Sequence, residues 1–335
     1  MNLQSRGLHN YQNSKKARLS EKFWQGIFLC ADASPNSLDK TKDQTMLLSF
    51  VIPTLNSRRF IQPCLESILS QQDPEVEICV VDNGSTDLTA EFIAKEYPGI
   101  MLIRNQENKG AAFARNQGMR VSKGEFVLLL DSDASLAGDF LKILRRALVS
   151  LDKRYAGLAA QILRVNTGRI FSCGLWINSL YQSHDAKKGE PVLASQIPCE
   201  VDGFNSCCAV LRRSCLEQVQ ERGMYFDEDF FFLFEDTDLS VRLKKRGYHF
   251  LFDPQLVCTH VGGSAPIDPQ KRRFYAFRNR LYIILKNEKK KSTFFLKSFF
   301  YDLPRTLHFC LTNRHASDVW RDVMRKFQDE KNTGL

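Results

Sequence analysis

The sequence predicts an α/β fold: a Rossmann-like, mostly parallel sheet with helices on both faces, followed by a C-terminal helical extension. Three observations lead there. Between residues 46 and 150, apolar runs of strand length alternate with segments whose apolar positions recur at helical spacing. The connections between them are short. Three of the four runs end in polar residues, at the edge where ligands of such sheets bind.

The elements follow in order. LLSFVIP is a continuous apolar strand ended at Pro53, and RFIQPCLESILSQ is a helix. VEICVVD is a second buried strand, and a helix, LTAEFIAKEY, begins near Leu88 with Ser85, Thr86 or Asp87 as its cap. IMLIRN, AAFARNQGMRVS and EFVLLLD continue as strand, helix, strand. FLKILRRALVSL is a further helix, after which short strands and turns fill residues 156–200. VDGFNSCCAVLRRSCLEQV runs from strand into helix, and FFFLFEDTDLSVRLKKRG places carboxylates at the head of a helix stopped at Gly247. These boundaries divide the chain into a polar extension (1–45), an α/β domain (46–269, with halves 46–150 and 151–269) and a basic helical region (270–335). Met46 directly precedes the first strand, so residues 1–45 also fit a start codon placed too early.

Composition narrows the function. The 335 residues are 43% hydrophobic and 25% charged, which excludes a collagen-like, wholly disordered or polytopic membrane chain. The net charge of +9 resides in the tail, where residues 270–335 hold 16 Lys/Arg against 6 Asp/Glu. A charged partner would therefore meet that tail. Ten cysteines sit at irregular spacing, several within apolar runs, and are expected as buried free thiols of a reducing, cytoplasmic compartment. No C-x-x-C pair occurs, so a cysteine-built zinc site is not expected. FWQGIFLCA is too short to span a membrane.

The chemistry-bearing residues lie at the strand ends. Asp131-Ser132-Asp133 emerges from VLLL as a D-x-D pair, suited to a hard divalent cation bridging phosphate oxygens, or alternatively to turn and cap chemistry. Asp82 ends a buried strand, where its carboxylate needs a partner such as a ribose or base. NKGAAFARNQG brings Gly110, Arg115 and Asn116 to the next loop and helix. Neither G-x-G-x-x-G nor G-x-x-x-x-G-K-[ST] is present, which disfavours a dinucleotide-dependent dehydrogenase and a P-loop nucleotidase. Glu235, Asp236 and Asp238 head a helix. They either complement its dipole or supply a general base made more basic by the apolar FFFLF beside it. His260 follows a short strand in VCTHVGGS and reads as a metal or phosphate contact or as a satisfied polar residue.

The collinear set FVIPTLN, VVDNGSTD, NKGAAFARNQG, FVLLLDSDA, GFNSCCAVLRR, FFFLFEDTDLSVRLKKRGY, THVGGS and RNRLYIILK resembles family 2 inverting glycosyltransferases of the GT-A fold. Within that family it resembles bacterial rhamnosyltransferase-like enzymes of surface-polysaccharide assembly. The resemblance implies a nucleotide-sugar donor, with rhamnose as the leading sugar, and a glycan or polyprenyl-linked acceptor. It makes 46–150 the nucleotide-binding half and 151–269 the acceptor half. Pro53, Asn56, Asp82, Arg115 and Asp131 would bind the nucleotide. Asp133 and His260 would hold Mg²⁺ or Mn²⁺, and Arg278 and Arg280 would face the diphosphate. Asp236 would deprotonate the acceptor hydroxyl, with Glu235 positioning the acceptor. Rival readings are an inactive GT-A scaffold subunit and a sugar nucleotidyltransferase. The latter would want a glycine-rich loop after the first strand, which VIPTLNSRRF lacks.

The stretch 286–305 interleaves cationic and apolar residues. It reads either as a core-packing helix or as an amphipathic segment on the anionic inner leaflet, which would make the protein peripheral there. No nucleic-acid recognition motif accompanies the charge.

Overall fold

The computed structural model describes residues 46–193, 197–263, 267–288, 292, 296, 307–313 and 315–332. The expected polar extension, residues 1–45, lies outside them. The first half follows the predicted alternation: β1 (Leu48–Thr54), α1 (Ile61–Leu69), β2 (Val76–Asp82), α2 (Thr89–Glu96), β3 (Met101–Arg104), α3 (Ala111–Val121), β4 (Phe126–Leu130), then a short strand the sequence reading did not expect, β5 (Ala134–Leu136), and α4 (Phe140–Val149). The second half comprises β6 (Tyr155–Arg164), β7 (Ile170–Ser172), β8 (Leu175–Ile177), β9 (Ser183–Asp185), β10 (Cys199–Val201), β11 (Cys208–Arg212), α5 (Arg213–Glu217), α6 (Glu235–Lys245) and β12 (His249–His260). Two long helices follow, α7 (Pro269–Asn287) and α8 (Ala316–Asn332), and Met46–Leu335 forms one compact unit.

The helix α2 begins one residue later than expected, with Leu88 before it at φ 65°. Of the three expected caps, Asp87 accepts from the backbone N–H of Thr89 at 3.1 Å; it also accepts from that of Arg58 at 3.0 Å, tying the β2–α2 loop to the loop after β1.

The main sheet runs β3-β2-β1-β4-β11-β6-β12-β10. The pairs β2–β3, β1–β2 and β1–β4 are parallel, as helical crossovers require. β11 enters antiparallel between β4 and β6, and β10 pairs antiparallel with β12 at the edge. The β11–β4 register pairs Cys208 with Leu130, which sets the start of β11 against the end of β4. β5 pairs antiparallel with the end of β12, Ala134 opposite His260. These two pairings carry Cys207 and His260 to the Asp131–Asp133 corner.

Strand alternation divides the core. Phe50, Ile52, Leu128 and Leu130 face α1 and α4, packing with Ile61, Leu65, Phe140 and Leu144. Val51, Val127 and Leu129 face the other side, with Met119 of α3 and Leu239 and Leu243 of α6. Of the described cysteines, only Cys199 and Cys310 are exposed; the other seven are buried, as expected of free thiols packed as small apolar groups.

The C-terminal helices bury a third cluster, Phe230, Leu281, Tyr282, Ile283, Ile284, Phe309, Val319 and Val323. The side chain of Lys286, at the head of the stretch expected to meet lipid, is buried. Its Nζ lies 2.8 Å from Glu221, 2.7 Å from Asp227 and 3.0 Å from Asp238. Lys326 of α8 reaches the same Asp227 at 3.0 Å. Burial alone would lower the Lys286 pKa, but these carboxylates outweigh it and raise it above the usual lysine range. Part of the tail's positive charge is thus neutralised internally by acids earlier in the chain. All of residues 289–305 except Ser292 and Leu296 lie outside the described residues. No helix among the described residues is long and apolar enough to cross a membrane.

Candidate active site

The carboxyl edges of β1 and β4, the start of β11, the head of α6 and the end of β12 enclose a cleft of about 530 Å³. That is the size of a ligand pocket at the expected edge of an α/β sheet. Pro53, Arg115, Asp131, Asp133, Glu235, Asp236 and His260 all line it, so seven of the residues singled out in the sequence converge.

Arg115, buried on α3, joins the two acidic motifs. One guanidinium nitrogen lies 2.9 Å from Asp131 and another 2.6 Å from Glu235. Burial disfavours its charge, yet Glu235, Asp131 and Asp236 together raise its pKa above the ordinary value. Its place as a bridge between carboxylates adds to the nucleotide contact expected of it.

The three acids of α6 divide by direction. Asp238 points away from the cleft, 2.9 Å from Arg242 and 3.0 Å from Lys286. Glu235 takes Arg115. Asp236 makes no ion pair among the described residues. It accepts from the backbone N–H of Thr237 at 2.7 Å and of Ser206 at 3.4 Å. Burial, then the neighbouring Glu235 charge, push its pKa up to about 7, with Arg115 and the two N–H groups pulling the other way. The helix dipole alone would favour the ionised form; desolvation wins.

The loop before α6 is strained: Leu233 and Phe234 both have φ 71°. It is held from across the cleft by Gly110, whose φ is +93° and where a Cβ would lie 2.5 Å from the Phe231 carbonyl oxygen. That carbonyl accepts from the Ala111 N–H at 2.8 Å. The glycine thus serves backbone-to-backbone approach.

At the opposite wall, His260 Nε2 lies 3.1 Å from Asp133 Oδ1, and the Gly262 N–H donates to Asp133 Oδ2 at 3.3 Å. His260 Nδ1 is buried without a hydrogen-bond partner. Burial lowers the imidazole pKa, but the Asp133 hydrogen bond and the Asp131 charge outweigh it and raise it. Ligand-type atoms of Asp131, Cys207 and His260 lie within 4.8 Å of one another. Asp131, expected at the nucleotide, therefore joins the grouping of potential metal ligands, while Asp133, expected as a ligand, braces the histidine.

Four expected residues do not line the cleft. Asn56 accepts from the Thr86 N–H at 2.8 Å and braces the loop behind Pro53. Asp82 accepts from the Ser85 N–H at 3.2 Å, and its Oδ1 is buried without a partner, one residue from the lining Asn83. Arg278 pairs with Asp322 at 3.0 Å and donates to the Asp229 carbonyl at 2.6 Å. Arg280 donates to the Leu180 carbonyl at 3.1 Å. The cationic side chains on the lining besides Arg115 are Arg164 and Arg272, which no motif marked. Arg272 precedes Arg278 on α7, and which face of that helix meets the cleft is set by packing on α8. Ser183 and Asp185 of β9 also line the cleft; Ser183 pairs with Thr237 at 3.0 Å and Asp185 with Asn205 at 2.8 Å.

The family model of glycosyl transferase family 2 matches residues 49–220. The succinoglycan biosynthesis protein ExoO of Rhizobium meliloti is 35% identical over 133 residues, 39% of this chain and 36% of that protein. The chain matches less than half the length of the first curated relatives found. Among solved structures, S. aureus TarS 1–349 in complex with UDP-GlcNAc superposes with TM-score 0.53 at 20% identity, covering 84% of this chain and 80% of that 1–349 fragment. The mannosyltransferase PcManGT of Pyrobaculum calidifontis, solved with GDP-Man and Mn²⁺, gives TM-score 0.51 at 20% identity over 96% and 84% of the two chains. With half of the chain matched by the family model and the GT-A architecture shared with these structures, the protein belongs to glycosyl transferase family 2.

Proposed function

We propose that the protein is an inverting glycosyltransferase of polysaccharide assembly. It moves a sugar, rhamnose being the leading donor reading, from a nucleotide-sugar to a glycan or polyprenyl-linked acceptor. The observation that carries this reading is the position of Asp236: on the cleft, unpaired by any cation among the described residues, and with a pKa pushed up to about 7. A carboxylate so placed takes a proton well near neutral pH. Solved neighbours hold UDP-GlcNAc or GDP-Man, which supports a sugar nucleotide as the ligand class.

In this mechanism Asp236 accepts the acceptor hydroxyl's proton as the oxygen attacks the anomeric carbon, opposite the departing nucleoside diphosphate. Direct displacement inverts the stereochemistry and requires no covalent enzyme nucleophile. Arg115 holds Glu235 in place beside Asp236. Pro53 and Asn83 border the space for the nucleoside, with the buried, partnerless Asp82 Oδ1 one residue behind Asn83, and Arg164 and Arg272 add positive charge for the diphosphate. Asp131 and His260 fit a divalent cation, since a buried imidazole nitrogen lacks a partner beside a carboxylate. Bound there, Mg²⁺ or Mn²⁺ would offset the charge on the leaving diphosphate. Membrane association through 286–305 stays part of the proposal; equal flotation with anionic and neutral vesicles would remove it.

Release of nucleoside diphosphate from a panel of sugar nucleotides, with and without Mg²⁺ or Mn²⁺, tests the reading. Release from at least one donor is expected with the cation; release from none would overturn the reading. The pH profile carries the sign of the Asp236 shift. The carboxylate is the active form, so kcat/KM should rise about tenfold per pH unit below about 7 and level off above it.

A further inference from the structure

Cys207 stands at the cleft floor in a position no spacing rule could mark. It directly precedes β11, and its carbonyl accepts from the Asp131 N–H at 2.9 Å, which locks the two residues together. Its Sγ lies within 4.8 Å of both an Asp131 carboxylate oxygen and a His260 ring nitrogen. The side chains come from three elements whose mutual register is fixed by β4–β11 and β5–β12 pairing. A second observation points to a ligand. His260 leaves Nδ1 buried and partnerless while Nε2 rests on Asp133. A carboxylate holding one ring nitrogen so that the other presents its lone pair is the usual support of a metal-bound histidine.

The donor types select the cation. Oxygen ligands alone would suit Mg²⁺, which gains little from sulfur. Carboxylate, imidazole and thiolate together suit Zn²⁺ or Co²⁺, whose tetrahedral sites draw on these groups and leave a fourth position open. We propose that Asp131, Cys207 and His260 form a site for a thiophilic divalent cation of the Zn²⁺ or Co²⁺ class, with Cys207 as thiolate ligand and Asp133 as the brace of His260. On binding, the Cys207 S–H bond is lost, its proton passes to solvent and a sulfur–metal bond forms; nothing is oxidised or reduced. The site overlaps the place of the cation in the proposed transferase, so a bound thiophilic ion would compete with Mg²⁺ or Mn²⁺ there.

The test uses the full chain, stripped of metal, kept reduced with a phosphine and titrated with Co²⁺ in the absence of any sugar nucleotide. A near-ultraviolet thiolate-to-cobalt band should grow to one equivalent and be displaced by Zn²⁺. Cys207→Ser should lose that band, whereas Cys208→Ser, one residue along and equally buried, should keep it. Asp133→Asn should weaken Co²⁺ binding by about 10–100-fold while the band survives at saturation. Should Cys207→Ser not fold, Cys207→Ala serves as its substitute. No band in the unaltered protein, or a band undiminished in the Cys207 variants, overturns the site. Because no donor is present, a band without nucleoside diphosphate release would sink the transferase reading alone. Mg²⁺-supported release without a band would sink this site alone.

Discussion

Asp236→Asn should lower kcat by about a thousandfold, within the range that removal of a general base gives, while the protein keeps its fold and its affinity for the nucleotide. The amide retains the shape and the acceptor oxygen for the Thr237 N–H, 2.7 Å away in the unaltered protein, but cannot take a proton. The rise in rate with pH through about 7 should disappear with it. A variant that retains the unaltered profile would assign the base elsewhere, with Glu235 as the next carboxylate on the cleft. Steady-state kinetics on the donor that releases nucleoside diphosphate make the measurement.

The second large effect is on stability. Arg115→Met should cost about 3–5 kcal/mol, because it strands Glu235 and Asp131 beside a buried gap without their shared cation. Methionine fills much of the volume, so the loss is chiefly electrostatic. Urea denaturation should show a lower midpoint at unchanged slope. Adding Glu235→Gln should return part of the loss, since one of the stranded charges is then gone. If the double variant is as unstable as the sum of its parts, the bridge is not what holds these motifs together.

The sequence carried the first half of this architecture because β-α-β units write themselves locally. VEICVVD occupies β2 residue for residue, and EFVLLLD covers β4 and ends on Asp131. Asp131, Asp133, Glu235 and Asp236 were legible for the same reason: each follows a strong strand or heads a strong helix. What was not legible depends on tertiary register. The antiparallel entry of β11 brings Cys207 beside Asp131, although FNSCCAVL reads locally as nothing more than a buried strand. The β5–β12 pairing hands His260 to Asp133 and brings Asp131 and Cys207 close to the ring. Arg278 and Arg280 looked free to face a diphosphate because no local rule shows Asp322 or the Leu180 carbonyl beside them. The three carboxylate partners of Lys286 lie earlier in the chain, so no local rule shows that the first lysine of 286–305 is paired internally.

The central claim is that one cleft binds a sugar nucleotide together with a divalent cation. A thermal-shift panel of sugar nucleotides with Mn²⁺, repeated with a chelator, addresses it most directly. At a hundred times its dissociation constant a ligand adds about 2.7 kcal/mol, enough to move Tm visibly. One nucleotide class should raise Tm in Mn²⁺ and lose most of that rise in the chelator. A Tm unmoved by every sugar nucleotide, with or without the cation, would contradict the account.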